Sequence, residues 1–249
     1  MFALRRKAIF AAAFVLAACS APAWSAEFSP SQKTEIEGIV RSYLLAHPEV
    51  LRDVSVELEK KQKAEEEQQR KQAMAGSHDE LYNSKFQAVV GNPKGKVNLV
   101  EFFDYNCGYC KRALGDLNNL IKAEPELRVV LKDFPVLGQN SIDAAMVASA
   151  VRKLLPADKF WGYHQKLLLQ KGSIGRDTAL NVAREFGLDP AKVEKESNDP
   201  AIRAGLEDVL KLGESLNLTG TPSYIIGDEA VIGAVGYAKL KAKIDELAK

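Results

Sequence analysis

The order of hydrophobic patterns along the chain predicts an α/β domain with a block of helices inserted in its middle and a helical extension in front. Three observations carry this. An apolar run at residues 97–103 ends just before Cys107 and Cys110, and a helical pattern follows it. A second apolar run, at 128–134, is stopped by Pro135. Helical periodicity across residues 141–216 then separates this half from a short hairpin that starts directly after Thr221-Pro222.

Residues 1–26 have the form of an export signal: Arg5, Arg6 and Lys7, then an apolar stretch at 8–18 too short to cross a bilayer, then small residues. Cleavage fits after Ala23 or after Ala26, the second site being disfavoured by Trp24. Leu16-Ala17-Ala18-Cys19 also resembles a lipid-attachment motif, so a form anchored through Cys19 stands beside a soluble one exported to the periplasm. Without residues 1–26 the chain carries 31 basic and 33 acidic residues, a net charge of −2 that offers nothing to nucleic acid. No later stretch is long and apolar enough to span a membrane.

Residues 27–59 read as a helical oligomerisation stalk. Ile36, Ile39, Val40, Tyr43 and Leu44 repeat at the spacing of one helix face. His47-Pro48 interrupts the stripe, and Val50, Leu51, Val54 and Leu58 resume it. Two short helices cannot make a core alone, so they pack on the body or on copies of themselves in a dimer or trimer. Residues 60–76 form a charged linker: across 60–72 Ala64 is the only apolar side chain, and Glu66 with Arg70 and Glu67 with Lys71 are ordered to support an exposed helix. A linker with no face to bury keeps the stalk apart from the body, which favours self-association.

The body is expected at 77–249, with the helical insertion at 139–217. Asn92-Pro93-Lys94-Gly95 makes a turn before the first strand. The helix at 108–122 turns Leu114, Leu117, Leu120 and Ile121 inward. Within the insertion Ile142, Ala145, Met146 and Ser149 share a face, and Asp189-Pro190 and Asp199-Pro200 supply helix starts. Strands at 223–226 and 230–235 join through Gly227-Asp228, and a last helix spans 237–247.

Once Cys19 is removed, Cys107 and Cys110 are the only cysteines, in a protein sent to an oxidising compartment. A structural zinc site needs about four ligands, and His47, His78 and His164 are scattered without ligand spacing. A structural disulfide across so short a loop removes little unfolded-chain entropy. Reversible redox exchange is left as the leading reading.

Val100-Glu101-Phe102-Phe103 leading to Cys107-Gly108-Tyr109-Cys110-Lys111, then Lys132-Asp133-Phe134-Pro135-Val136-Leu137-Gly138, and Gly220-Thr221-Pro222 before the hairpin, together resemble the DsbA family of exported thiol-disulfide oxidoreductases. The resemblance covers most of residues 84–249 and implies a thioredoxin fold with an inserted helical domain. The amphipathic extension is similar to that of the oligomeric disulfide isomerases of the suppressor-of-copper-sensitivity type. The implied partners are unfolded or misoxidised exported proteins and a membrane redox partner, either a reductase or a quinone-linked oxidase, with no cofactor.

Cys107, where a strand ends and a helix begins, meets unpaired N–H groups and the positive end of the helix dipole. It is therefore the nucleophile, and Cys110, a turn later and further inside, resolves the mixed disulfide. Gly108 and Tyr109 stand where strongly oxidising relatives carry Pro and His, which predicts a less oxidising couple at about 30 mV per pKa unit. Tyr109 also suits an aromatic platform for substrate. The resemblance implies that Glu101 relays the Cys110 proton, with Lys132 on the neighbouring strand as its partner; simple exposure at the strand end is the alternative. It also implies a cis peptide between Thr221 and Pro222 and substrate binding by Thr221 backbone groups. Thr221 resembles isomerases and reductases more than the strong oxidase, which has Val there. Asp104 reads as a loop acid, a kind often only solvated, and His164 as a packed or surface side chain. A disulfide isomerase or reductase leads; a dedicated oxidase and a copper(I)-binding protein using the same dithiol are the alternatives.

Overall fold

The computed structural model describes residues 27–248, so the export signal expected at 1–26, and Cys19 within it, lie outside the described residues. The described residues fall into two compact units that divide after Leu58. The first holds α1 (Pro30–Ala46) and the start of α2 (Glu49–Gly76). Ser29 opens α1 with a capping box, its hydroxyl accepting from Gln32 N while the Gln32 side chain accepts from Ser29 N. The break falls at His47-Pro48, where proline's missing N–H stops helical hydrogen bonding. No residue of α1 is buried, and Ile39, Val40, Tyr43, Leu51, Val54 and Leu58 are all exposed.

The second unit is built on a five-stranded sheet. After α3 (His78–Tyr82) come β1 (Ala88–Gly91), β2 (Val97–Phe103), α4 (Gly108–Ala123) and β3 (Leu127–Asp133). The insertion supplies α5 (Gln139–Leu154), α6 (Ala157–Leu168), α7 (Arg176–Glu185), α8 (Pro190–Ser197) and α9 (Pro200–Ser215). The hairpin β4 (Ser223–Ile226) and β5 (Glu229–Ile232) and then α10 (Tyr237–Leu247) complete it. Strand order is β1-β3-β2-β4-β5, with β2 and β3 parallel and the other pairs antiparallel. Asp189 and Asp199 cap α8 and α9, each side chain accepting from the backbone N–H two residues on.

The strands of the sheet centre are buried on both faces, which is why they read as continuous apolar runs. One face, carrying Leu99, Phe103, Val129 and Leu131, packs against Leu114, Leu117 and Leu120 of α4, Leu240 and Ile244 of α10, and the alanine-rich side of α5. The other, carrying Val100, Phe102, Val130 and Ile225, packs against Val209 and Leu212 of α9, Leu81 of α3 and Met74 of α2. Gly213 lets α9 come this close: a Cβ there would lie 2.4 Å from the Phe134 ring.

Two features differ from the sequence reading. The edge strand β1 goes unread there, because four residues beside a turn give too little alternation to recognise. Residues 60–76 are helical, but their last turns are not a detached linker. Arg70 Nε donates to the Leu216 carbonyl at 2.8 Å, Lys71 Nζ lies 3.7 Å from Asp228, and Met74 is buried in the core. The polar composition of 60–72 concealed this, since the anchoring is done by the Arg70 guanidinium and the Lys71 ammonium within it and by Met74 just beyond it.

Candidate active site

The site forms where β2 runs into α4. Asp104 shapes the turn between them. Its carboxylate accepts from Asn106 N at 2.8 Å, from Ser141 Oγ at 2.7 Å and from Leu137 N at 3.0 Å, and its carbonyl accepts from Cys107 N at 3.0 Å. This acid is buried, so its place is a structural one inside the loop rather than on a solvated surface. Asn106 ties the same turn to the insertion, accepting from Ile174 N and donating to the Ile174 carbonyl and Ser141 Oγ. Sequence reasoning passed over Asn106; the signal available was a side chain able both to donate and to accept directly before Cys107.

Cys107 is the N-cap of α4, in extended conformation, so the free N–H groups of the first turn point toward its sulfur. Its Sγ lies 3.2 Å from the Thr221 carbonyl. The Thr221–Pro222 peptide is cis and sets that carbonyl beside the dithiol. Both cysteines are free thiols, and the Cys107 pKa is lowered to about 5. The largest cause is the Cys110 thiol, which donates to the Cys107 thiolate; the Thr221 side chain and the backbone N–H groups of Cys110 and Tyr109 add to it against partial burial. Cys110 is pushed strongly the other way, by that same hydrogen bond, by burial and by the charge of Glu101. One thiol is thus ionised at neutral pH and its partner holds its proton, with no imidazole at the dithiol.

Tyr109 is 60% exposed, and the Arg112 guanidinium lies over its ring at 4.1 Å. Val136, Leu137 and Leu169 are also exposed. Leu137 N is bound to Asp104 in the turn before Cys107, and Lys111 Nζ bonds the carbonyl of Gln170, next to Leu169. His164 is buried, with Nδ1 3.2 Å from the Tyr105 hydroxyl and its ring stacked on Trp161, and burial lowers its pKa to about 3. It is a neutral core side chain.

Glu101 is 4% exposed, and burial raises its pKa to about 7, with Tyr224 opposing the rise and Cys107 adding to it. That excludes simple exposure at the strand end. Lys132 is not its partner, however. The parallel register pairs Glu101 with Leu131 and Lys132 with Phe102, so Lys132 leaves the sheet on the face away from the dithiol. There its ammonium, fully buried, bonds the Glu80 carbonyl and Gln87 Oε1 at 2.7 Å. Burial, with the nearby Arg128 charge adding to it, lowers its pKa to about 7. The residue standing across from Glu101 is Tyr224 of β4, which sequence reasoning did not single out.

Comparison with known proteins agrees with this geometry. A thioredoxin-like oxidoreductase from Silicibacter pomeroyi DSS-3 is 35% identical, covers 68% of this chain and 96% of its own, and superposes with a TM-score of 0.64. A linker-deletion mutant of Proteus mirabilis ScsC, which also carries a point substitution, is 27% identical, covers 90% of this chain and 98% of its own, and gives 0.68. Disulfide bond formation protein D of Bacillus subtilis (strain 168) is 24% identical over 176 residues, which are 65% of this chain and 77% of that protein. Residues 32–65 match the copper resistance protein ScsC N-terminal domain. The DSBA-like thioredoxin domain matches residues 98–245, more than half of the chain, and the protein therefore belongs to that family of thiol-disulfide oxidoreductases.

Proposed function

We propose that this protein is an exported, periplasmic disulfide isomerase or reductase that acts on folding proteins as an oligomer. Cys107 attacks a substrate disulfide, Cys110 resolves the mixed disulfide, and Glu101 takes up the Cys110 proton. Tyr109, Thr221 and Pro222 hold an extended substrate segment over Cys107, flanked by the exposed Val136, Leu137 and Leu169.

The observation that carries the isomerase reading is the apolar surface of residues 27–58, where α1 buries nothing. Helices with such stripes gain by covering them, at about 25 cal/mol for each Å² of apolar surface. Two or three dithiols on one assembly raise the local concentration of both reactants around a wrongly paired chain. An oxidase that makes one bond and leaves has no such need. Among the described residues no helix is long and apolar enough to cross a membrane, so exchange with a membrane redox partner is taken to occur by docking.

Copper(I) binding by the two thiolates is the second reading, favoured by the match of residues 32–65 to a domain named for copper resistance. Among the described residues no cluster of three or more His, Cys, Asp or Glu joins the dithiol to a further ligand. Turnover of a scrambled-disulfide substrate, measured beside a copper(I) titration and the solution mass of the same preparation, tests both. Isomerisation by an oligomer supports the first reading. A monomer that does not turn over and binds copper(I) tightly replaces it with the second.

A further inference from the structure

Tyr224 is a buried polar side chain in a strand where bulk alone would be served by phenylalanine. It is fully buried, and among the described residues its hydroxyl makes no hydrogen bond of ordinary geometry, although it lies near enough to the Glu101 carboxyl to act on it. Leaving a buried hydroxyl without a well-formed hydrogen bond is unfavourable. The antiparallel register pairs it directly with Glu101, and directly paired residues project on the same face with Cβ atoms about 5 Å apart. That face also carries Cys107 and Cys110.

We propose that the Tyr224 hydroxyl is a positioning residue for exchange, donating to the Glu101 carboxylate as that group accepts the proton of Cys110. The inference rests on the relay role given to Glu101 above.

In the mixed disulfide Cys107 Sγ is bonded to the substrate sulfur and is no longer a thiolate. The hydrogen bond that most strongly held the proton on Cys110 is therefore gone. Cys110 passes its proton to Glu101, and its sulfur attacks Cys107 Sγ. The Cys107–Cys110 bond forms as the Cys107–substrate bond breaks. The substrate sulfur leaves with the bonding pair as a thiolate and takes a proton from Glu101 or water; over the two exchange steps together, two electrons pass from the dithiol to the substrate disulfide. For this Glu101 must begin ionised although burial favours its protonated form. A phenol donating to the carboxylate stabilises the ionised form, and Tyr224 does oppose the rise that burial causes.

The groups that face Glu101 are few. Cys107, the N-cap of α4, and Cys110 in its first turn act on it directly, as does Tyr224 of β4, while the Asp116 charge reaches Tyr224. Its β3 partner is the apolar Leu131, and Lys132 is turned to the other face.

The test is the reaction of the reduced full-length protein with 5,5′-dithiobis(2-nitrobenzoate). Attack by Cys107 releases one thionitrobenzoate, and resolution by Cys110 releases a second. Wild type, Tyr224→Phe, Glu101→Gln and the double variant are followed from about pH 5.5 to 8.5, a range that brackets a carboxylate tuned for proton transfer near neutrality. Tyr224→Phe is expected to leave the first phase unchanged and move the pH midpoint of the second upward, slowing it about tenfold at low pH for each unit of displacement. Near pH 8.5 the two proteins converge, and in the Glu101→Gln background Tyr224→Phe has no further effect. An unmoved second-phase profile overturns the inference, as does an equal effect on both phases or an undiminished effect without Glu101. Glu101→Gln slow with Tyr224→Phe unaltered removes the role of Tyr224 alone. A second phase unchanged in Glu101→Gln removes the relay itself, and the inference with it.

Discussion

Lys132 stands one residue past Leu131, the strand partner of Glu101, and so projects from the opposite face of the sheet, where it holds the Glu80 carbonyl and Gln87. Its work is to fasten α3 and the approach to β1 onto the central strands. Lys132→Ala is expected to destabilise the protein by about 2–4 kcal/mol, through the cavity and the two acceptors left without a donor. The apparent Cys107 pKa should not move. Urea unfolding and the pH dependence of iodoacetamide alkylation measure the two quantities; a shifted Cys107 profile with normal stability would return Lys132 to the active site.

The Cys107 thiolate depends first on the Cys110 thiol. Cys110→Ser keeps a donor at that position, so Cys107 should still titrate near its present value, while substrates accumulate as mixed disulfides. Cys110→Ala removes the donor, and the alkylation midpoint should rise from about 5. Cys107→Ser should abolish exchange altogether. Faster alkylation of Cys110 than of Cys107 at mildly acidic pH would reverse the assignment of nucleophile and resolver.

Redox state should set how stability varies with pH. Cys107 titrates at about 5 in the folded reduced protein, against 9.0 as an ordinary thiol. Between those values the unfolded chain binds more protons, so this contribution is fully present above about pH 9 and is lost as pH falls through 5. Glu101 runs the other way. Its pKa rises from 4.5 to about 7 on folding, so its contribution is full below 4.5 and lost as pH climbs through 7. The disulfide form lacks the first effect and keeps the second. Denaturant unfolding of the two forms side by side should show reduced-minus-oxidised stability rising from pH 5 to pH 9, and a flat difference would contradict the Cys107 assignment.

Replacing Glu101 by Gln should stabilise the protein at pH 8, by up to the order of 3 kcal/mol if the whole burial displacement is recovered. The gain should shrink below pH 5, where the native carboxyl is already neutral. Loss of stability at pH 8 would mean that the ionised carboxylate is paired by a group other than Tyr224.

The stalk makes a separable claim. Ile39→Glu together with Val54→Glu places charges on exposed apolar positions of α1 and α2. Light scattering should report a fall to monomer mass, with insulin reduction kept and most scrambled-disulfide isomerisation lost. An unchanged mass, or a monomer that isomerises as well as the parent, would sink the stalk.

The sequence by itself determined the place of Cys107 and Cys110 at a strand end and helix start, the inserted helices, the hairpin after Thr221-Pro222 and the interruption at His47-Pro48. These are local: an N-cap, a proline and an apolar period act within a few residues of chain. It also marked Glu101, because a carboxylate in a strand of Val, Leu and Phe is conspicuous wherever that strand lies. What stands opposite Glu101 was decided only by tertiary structure. Lys132 is a neighbour in strand order, yet a register one residue off turns it away, and Tyr224 arrives from a strand more than a hundred residues later. The same holds for Asp104, whose burial depends on Leu137 and Ser141, and for Met74, which anchors a charged helix. Periodicity tells which side chains share a face, but pairing between distant strands is set by the whole packed sheet, and a shift of one residue moves a side chain from the face of the dithiol to the opposite one.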